Sequence, residues 1–312
     1  MTLRARTIVE GALSGLHRSP HHGSSVEFAE HKEYSPGDEI RHIDWKAYGK
    51  FDRYYVKRFE EETELTAYVL LDRSGSMTYR GDGISKLEYA AYLTAALAYL
   101  LIRQQDRVGL LAFGGAKEPE YMPPRAHAAH LHDLMAAIER VAASATEGET
   151  SLAKVLDRVA ELARRRKSLI VLCSDMFDRS PEIPKLLRRL RVMRHDVAVV
   201  QVLDEHELTL PFEGVTLFQS LEDDRRLLVD PRAIRHAYLK ELRAFLDRTR
   251  SACTEGDVEY FLVPTTRPLE RTLLDFLISR SSRAGARVKG SPSSSPVDEF
   301  RLGTAGHGAG AP

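Results

Sequence analysis

Five short apolar runs punctuate the chain at residues 67–71, 108–113, 169–173, 197–203 and 258–263. Each is nearly free of polar positions, which predicts strands covered on both faces rather than strands with one wet side. Between them apolar residues recur at helical spacing. Ser85-Lys86-Leu87-Glu88 reads as a capping box, flanked by Ile84 and Tyr89 as a hydrophobic staple, and opens a helix to about Arg103 whose apolar residues cover most of its circumference. Further helices are predicted over 127–142, 151–166, 181–191, 231–251 and 268–280. The last three begin at Pro181, Pro231 and Pro268, a residue tolerated in a first turn because the N–H it lacks would have had no helical partner. Strand and helix alternating in this way predict an α/β fold: a Rossmann-like, doubly wound, mainly parallel sheet between helix layers, with right-handed crossovers.

Two regions break the alternation. Residues 1–65 are polar, aromatic and charged, with the turn Ser35-Pro36-Gly37-Asp38 followed by Arg41, Asp44 and Trp45. They predict an extended arm or small β unit. Asp38, Arg41, Asp44 and Trp45 fit two readings equally, a buried ion-pair and aromatic brace or a surface for a partner. From about Ser281 the chain is rich in Ser, Gly, Ala and Pro, a composition that cannot bury enough apolar surface to offset ordering. The expected organisation is therefore an N-terminal appendage at 1–65, an α/β domain with a C-terminal α/β extension at 66–280, and a disordered tail at 281–312.

With 312 residues the chain is long enough for one large α/β domain with appendages or for two small domains, and a core of ordinary size fits on length alone. Lys plus Arg and Asp plus Glu number 45 each, so no overall field draws the chain to nucleic acid or to an anionic membrane. Only Cys173 and Cys253 are present, which implies neither a disulfide framework nor a Cys-based zinc site and suits a reducing compartment. Nowhere do about 18 uninterrupted apolar residues occur, so the expectation is a cytoplasmic chain without direct membrane insertion.

Candidate chemistry gathers where strands end. Asp72-Arg73-Ser74-Gly75-Ser76-Met77 follows the first run directly and sets one carboxylate and two hydroxyls at alternate positions. Such oxygens suit a hard cation, Mg2+ with Mn2+ or Ca2+ as substitutes, which keeps several waters and takes few protein ligands. Thiols or imidazoles would have pointed to zinc. Because one short loop cannot surround an ion, further oxygens are sought at Thr150, in a loop before a helix, and at Asp175, which follows its own strand as Asp72 does. Ligands of open parallel sheets collect beyond the carboxyl ends of strands, so both aspartates are expected on one rim. Each residue also has a plain alternative: Asp72 could cap its loop, Ser74 and Ser76 form a turn, and Thr150 or Ser151 serve as a helix N-cap.

Three other features carry less. Gly81-Asp82-Gly83-Ile84-Ser85-Lys86 has neither the spacing nor the preceding strand of a phosphate-binding loop. His127, His130 and His132 could suggest a transition-metal cluster, but only the first two share a helix face, and the three read as solvated histidines. Arg164-Arg165-Arg166-Lys167 reads as a helix terminus with cations at its negative dipole end.

Asp72-x-Ser74-x-Ser76 with a distant Thr150 and a later strand-end Asp175 resembles the metal-ion-dependent adhesion site of von Willebrand factor A domains, over roughly residues 66–205. Residues 33–46, from Glu33-Tyr34-Ser35-Pro36-Gly37-Asp38 to Asp44-Trp45-Lys46, resemble the signature of the bacterial "domain of unknown function 58" family. Gly23, Glu27, Phe28 and Val56-Lys57-Arg58-Phe59-Glu60 fit it too. That resemblance implies an A-type domain behind the signature, gene neighbours encoding MoxR-type AAA+ ATPases, and a non-enzymatic adaptor in protein remodelling, assembly or activation. In an adhesion-type site Asp72, Ser74 and Ser76 would contact the ion or its waters, Thr150 would join according to conformation, and Asp175 would act through water. An acidic side chain of a partner or client would complete the coordination. The enzymatic rival is a Mg2+-dependent aspartyl phosphotransferase using Asp72 as nucleophile. Haloacid-dehalogenase-like enzymes place a second Asp two residues on, where this chain has Ser74.

Overall fold

Helix α1 (Thr2–Arg18) opens the chain in the computed structural model, which describes residues 1–18, 31–33, 55–57, 65–115, 118–144, 151–178 and 180–289. It corrects the expectation of an extended arm at the N-terminus. Ala5, Ile8, Val9 and Ala12 lie at successive i, i+3, i+4 and i+7 positions and are all buried, so one stripe of the helix enters the core. Strands β1 (His31–Glu33) and β2 (Tyr55–Lys57) form a short antiparallel pair.

All five apolar runs are strands of one sheet: β3 (Thr66–Asp72), β4 (Arg107–Phe113), β6 (Ser168–Ser174), β7 (Asp196–Leu203) and β10 (Glu259–Pro264). A sixth strand, β5 (Glu120–Arg125), pairs antiparallel at the edge beside β4. The order is β10-β7-β6-β3-β4-β5, and every pair except β4 with β5 is parallel. β5 escaped the sequence reading because Pro123 and Pro124 lie within it. Proline cannot donate to a ladder, which an edge strand tolerates.

Helices cover both faces. Alternate residues of β3 divide between two layers, with Ala67, Val69 and Leu71 in one core and Tyr68 and Leu70 in the other. The first core includes α1, α2 (Lys86–Arg103), α3 (Ala128–Ala143) and α8 (Leu269–Lys289). The second includes α4 (Leu152–Ala163), α5 (Ile183–Val192) and Cys253 of α7 (Pro231–Glu255). α2 starts as the sequence implies: Ser85 Oγ accepts the Glu88 N–H at 3.1 Å and Glu88 Oε2 accepts the Ser85 N–H at 2.9 Å. α8 runs to Lys289, past the boundary expected near Ser281, and residues 290–312 lie outside the described residues.

A short helix, α6 (Glu205–Thr209), follows β7, and then a two-stranded hairpin of β8 (Thr216–Gln219) and β9 (Arg226–Val229) stands apart from the main sheet. Among the described residues no helix is long and apolar enough to cross a membrane. Cys173 and Cys253 are both free and buried, and burial pushes each thiol up to about 12.

Candidate metal centre

The parallel order reverses between β3 and β6. From β3 the chain crosses to β4 on one side, whereas from β6 it proceeds to β7 and β10 on the other. At such a switch point the loops leaving two neighbouring strands separate and leave a crevice beyond their carboxyl ends. β3 and β6 pair from Thr66 with Ser168 to Leu71 with Cys173, so Asp72 and Ser174 end their strands side by side.

Both strand-end aspartates meet there. Asp72 is 5% exposed and Asp175 2%. Asp72 Oδ1 accepts the Ser74 N–H at 2.9 Å and Oδ2 accepts the Ser174 hydroxyl at 2.6 Å. Among the described residues no cationic side chain pairs with it. Burial, and after it the charge of Asp175, pushes the Asp72 carboxyl up to about 7, against the opposing hydrogen bonds from Ser174 and Ser74.

The loop that holds the hydroxyls is held by backbone contacts. Arg73 N–H donates to Phe113 O at 2.7 Å. Gly114, next in the chain, has φ +137° and approaches so closely that a Cβ there would lie 2.4 Å from Ser74 N. Residues 75–78 form one 3-10 turn, and Ser74 Oγ and Ser76 Oγ come within 3.1 Å of each other.

Asp175 is braced from the opposite side. Its Oδ1 accepts the Phe177 N–H at 3.2 Å, its carbonyl accepts Gln201 Nε2 at 2.8 Å, and its Oδ2 accepts Lys86 Nζ at 2.9 Å. Lys86 also donates to Glu207 Oε1 at 2.7 Å, and its ammonium sits 5.0 Å from the centre of the Phe177 ring. Burial works to lower the Lys86 pKa, but Asp175 and Glu207 outweigh it and hold the group above its ordinary value. Glu207 is raised by burial, with Lys86 opposing. Directly after Asp175, Met176 takes φ +63°, a left-handed conformation unusual for a side chain with a Cβ, and its N–H donates to Ser174 Oγ at 2.9 Å.

These residues fit a small hard cation. With metal–oxygen distances of about 2.0–2.1 Å, neighbouring ligands of a Mg2+ octahedron stand about 3.0 Å apart, close to the separation of the two serine hydroxyls. Asp175 and Glu207 share the Lys86 ammonium, while Asp72, which the charge of Asp175 also reaches, has no cation paired with it among the described residues. Among the described residues no group of three or more His, Cys, Asp or Glu side chains is placed to hold a metal.

Of the five residues singled out in the sequence, Asp72, Ser74, Ser76 and Asp175 come together. Thr150 lies outside the described residues, as do Asp38, Arg41, Asp44 and Trp45. Leu152 N–H donates to Asp178 Oδ2 at 2.8 Å, which ties the start of α4 to the loop after Asp175. Ser151 caps α4 by accepting the Lys154 N–H. The histidines need a correction: His127 and His132 are exposed, but His130 is buried, with Nε2 2.7 Å from Val108 O. Arg164 to Lys167 are exposed after the last turn of α4. Lys86, Ser174 and Glu207 were missed. A lysine in the first turn of a nearly all-apolar helix was the available signal.

Comparison with known proteins matches the profile of the family described as "Protein of unknown function DUF58" to residues 30–246. The uncharacterized proteins Rv1480 of Mycobacterium tuberculosis and Mb1516 of Mycobacterium bovis are each 26% identical over 260 residues, covering 81% of this chain and 80% of theirs. Among solved structures, the conserved hypothetical protein BatB from Bacteroides thetaiotaomicron aligns with a TM-score of 0.47 at 14% identity, over 70% of this chain and 99% of that one. The SpRpn10 VWA domain aligns with a TM-score of 0.40 at 11% identity, over 68% and 94%.

Proposed function

The chain belongs to the DUF58 family, and from that starting point we propose that it is a metal-dependent protein-interaction module without catalytic residues of its own. Its von Willebrand factor A-like fold supports an interaction role, and one observation carries the metal: two serine hydroxyls 3.1 Å apart beside the buried carboxylate of Asp72, at the sheet's switch point. Asp72, Ser74 and Ser76 would hold Mg2+, with Mn2+ or Ca2+ as substitutes, while Asp175 acts from behind, fixed by Lys86. When bound, the ion supplies an electrophilic position able to accept a carboxylate oxygen from outside. The protein's own part is to keep the first ligands few and mostly neutral, so that an incoming acid group is not repelled by a ring of carboxylates. In this reading the chain is a cytoplasmic adaptor between a MoxR-type AAA+ ATPase and a client, one of which presents the acidic residue.

The phosphotransferase rival retains only Asp72. Two residues on, Ser74 engages Ser76, and no carboxylate stands there as general acid.

Calorimetry with Mg2+ on the wild-type chain and on Asp72→Asn tests the site, and co-elution with a purified MoxR-type ATPase, with and without chelator, tests the role. Saturable Mg2+ binding abolished in Asp72→Asn, with complex formation lost in parallel, is the expected result. Complex formation indifferent to both would remove the metal from the mechanism. Mg2+-dependent hydrolysis of a phosphate ester, lost in Asp72→Asn, would transfer the case to the rival.

A further inference from the structure

The β8–β9 hairpin does not merely lie near the metal loop; its turn rests on it. A Cβ at Gly75 would stand 2.0 Å from Leu221 O, so the turn's backbone can approach only because position 75 has no side chain. The same Cβ would lie 3.4 Å from Cγ of Glu222, which places that side chain's stem against the segment between Ser74 and Ser76.

The three acids of the turn, Glu222, Asp223 and Asp224, are not equivalent. Asp223 is committed elsewhere, its Oδ2 accepting Arg225 Nε at 2.6 Å. Asp224 is exposed. Glu222 is partly buried, and among the described residues no cation pairs with it. Ser220 Oγ accepts the N–H groups of both Glu222 and Asp223, at 3.3 and 3.2 Å, and Ser220 N–H donates to Arg225 O, so the turn keeps its shape from within.

We propose that Glu222 is an internal acid ligand, occupying the coordination position that a partner's carboxylate would take. This rests on the metal-site reading above. A half-buried acid whose stem lies against a loop of candidate cation ligands, with no cation paired to it among the described residues, is costly unless a cation offsets it, and the position that can accept an outside acid can accept this one. Displacement is cheap because the hairpin is two-stranded and much of its surface is wet: Leu217, Leu227 and Leu228 are all exposed. A partner's acid group therefore competes with Glu222 rather than with water, and binding lifts the turn from Gly75.

Mn2+ in place of Mg2+ gives a readout independent of any partner, since water-proton relaxation counts the waters on the ion. In the full chain, Glu222→Gln should raise relaxivity per bound Mn2+ by about 1.5-fold, one water added to the several such an ion keeps, and weaken Mn2+ binding by roughly tenfold. Asp223→Asn is the control and should change neither. Glu222→Asp, which shortens the reach, should resemble Glu222→Gln. Equal relaxivity in wild type and Glu222→Gln, with Mn2+ bound in both and lost in Asp72→Asn, would overturn the internal ligand and leave the metal site standing. No saturable Mn2+ binding by the wild-type chain would overturn both.

Discussion

Lys86 Nζ donates to Asp175 Oδ2 at 2.9 Å from a side chain with no solvent exposure, and the same ammonium reaches Glu207 Oε1 at 2.7 Å. One buried cation thus joins the loop after β6 to helix α6. Glu207 in turn uses Oε2 to accept the Asp204 N–H at 2.8 Å, and its carbonyl accepts the Tyr238 hydroxyl of α7 at 2.8 Å. Lys86 therefore braces the back of the site against the C-terminal part of the domain.

Replacing Lys86 with Met keeps the volume but strands two carboxylates in a poorly hydrated interior. Removing one partner of a buried ion pair typically costs about 3–5 kcal/mol, because the remaining charge is uncompensated. Urea denaturation of metal-free Lys86→Met should show a loss of that order. A loss under about 1 kcal/mol would mean that Asp175 and Glu207 relax into solvent and that the brace is not structural.

The raised Asp72 carboxyl sets a pH dependence whose sign depends on the metal. Its ordinary value is 3.8 and the folded value about 7, so between them the native state holds a proton that the unfolded chain has released. The stability this group contributes to the metal-free protein is full below pH 3.8 and is lost as pH rises through about 7. Mg2+ needs the deprotonated carboxylate, so its affinity should instead rise across that interval and level off above it. Melting temperatures of the chelated protein at pH 5.5 and pH 8, compared with Asp72→Asn, isolate the term. The variant should show a smaller fall, and identical falls would locate the titration elsewhere.

Gly114 carries the approach of the loop after β4 to the candidate metal loop. Gly114→Ala combines an unfavourable φ of +137° with a Cβ 2.4 Å from Ser74 N, so the backbone on one side must move. Overpacking of this kind costs typically 1–3 kcal/mol, and here the segment displaced carries two candidate ligands. Thermal unfolding should register the loss and Mg2+ calorimetry a weaker affinity. Undiminished affinity would show that the loop keeps its shape without Gly114.

What could be read from the sequence follows from the physics of each element. Strands β3, β4, β6, β7 and β10 are covered on both faces, so burial wrote itself as nearly unbroken apolar runs. The Ser85 capping box is a local hydrogen-bond pattern, and Asp72 and Asp175 announce themselves by following strands. The features that escaped are non-local or exposed. Lys86 finds its partners 89 and 121 residues away, a pairing without periodicity. β8 and β9 face mostly solvent, which leaves their hydrophobic pattern without an inner side to specify. In α1 the stripe of Ala5, Ile8, Val9 and Ala12 is rich in small residues and interrupted by Gly11, so it reads weakly as a helix face until its neighbours are known.

Ser174 supplies the sharpest test of how Asp72 is tuned. Its hydroxyl donates to Asp72 Oδ2 at 2.6 Å and accepts the Met176 N–H at 2.9 Å, so one side chain both favours the ionised carboxylate and holds the left-handed residue before Phe177. Ser174→Ala removes the hydrogen bond that most opposes the rise of the Asp72 carboxyl. The pH at which Mg2+ affinity reaches half its plateau should therefore move upward from about 7. Stability should fall by about 1–3 kcal/mol as a buried N–H loses its acceptor. Ser174→Thr retains the hydroxyl and should restore the midpoint even if the added methyl costs stability. A midpoint unmoved in Ser174→Ala would show that this hydroxyl shapes the backbone around Met176 without setting the charge of Asp72.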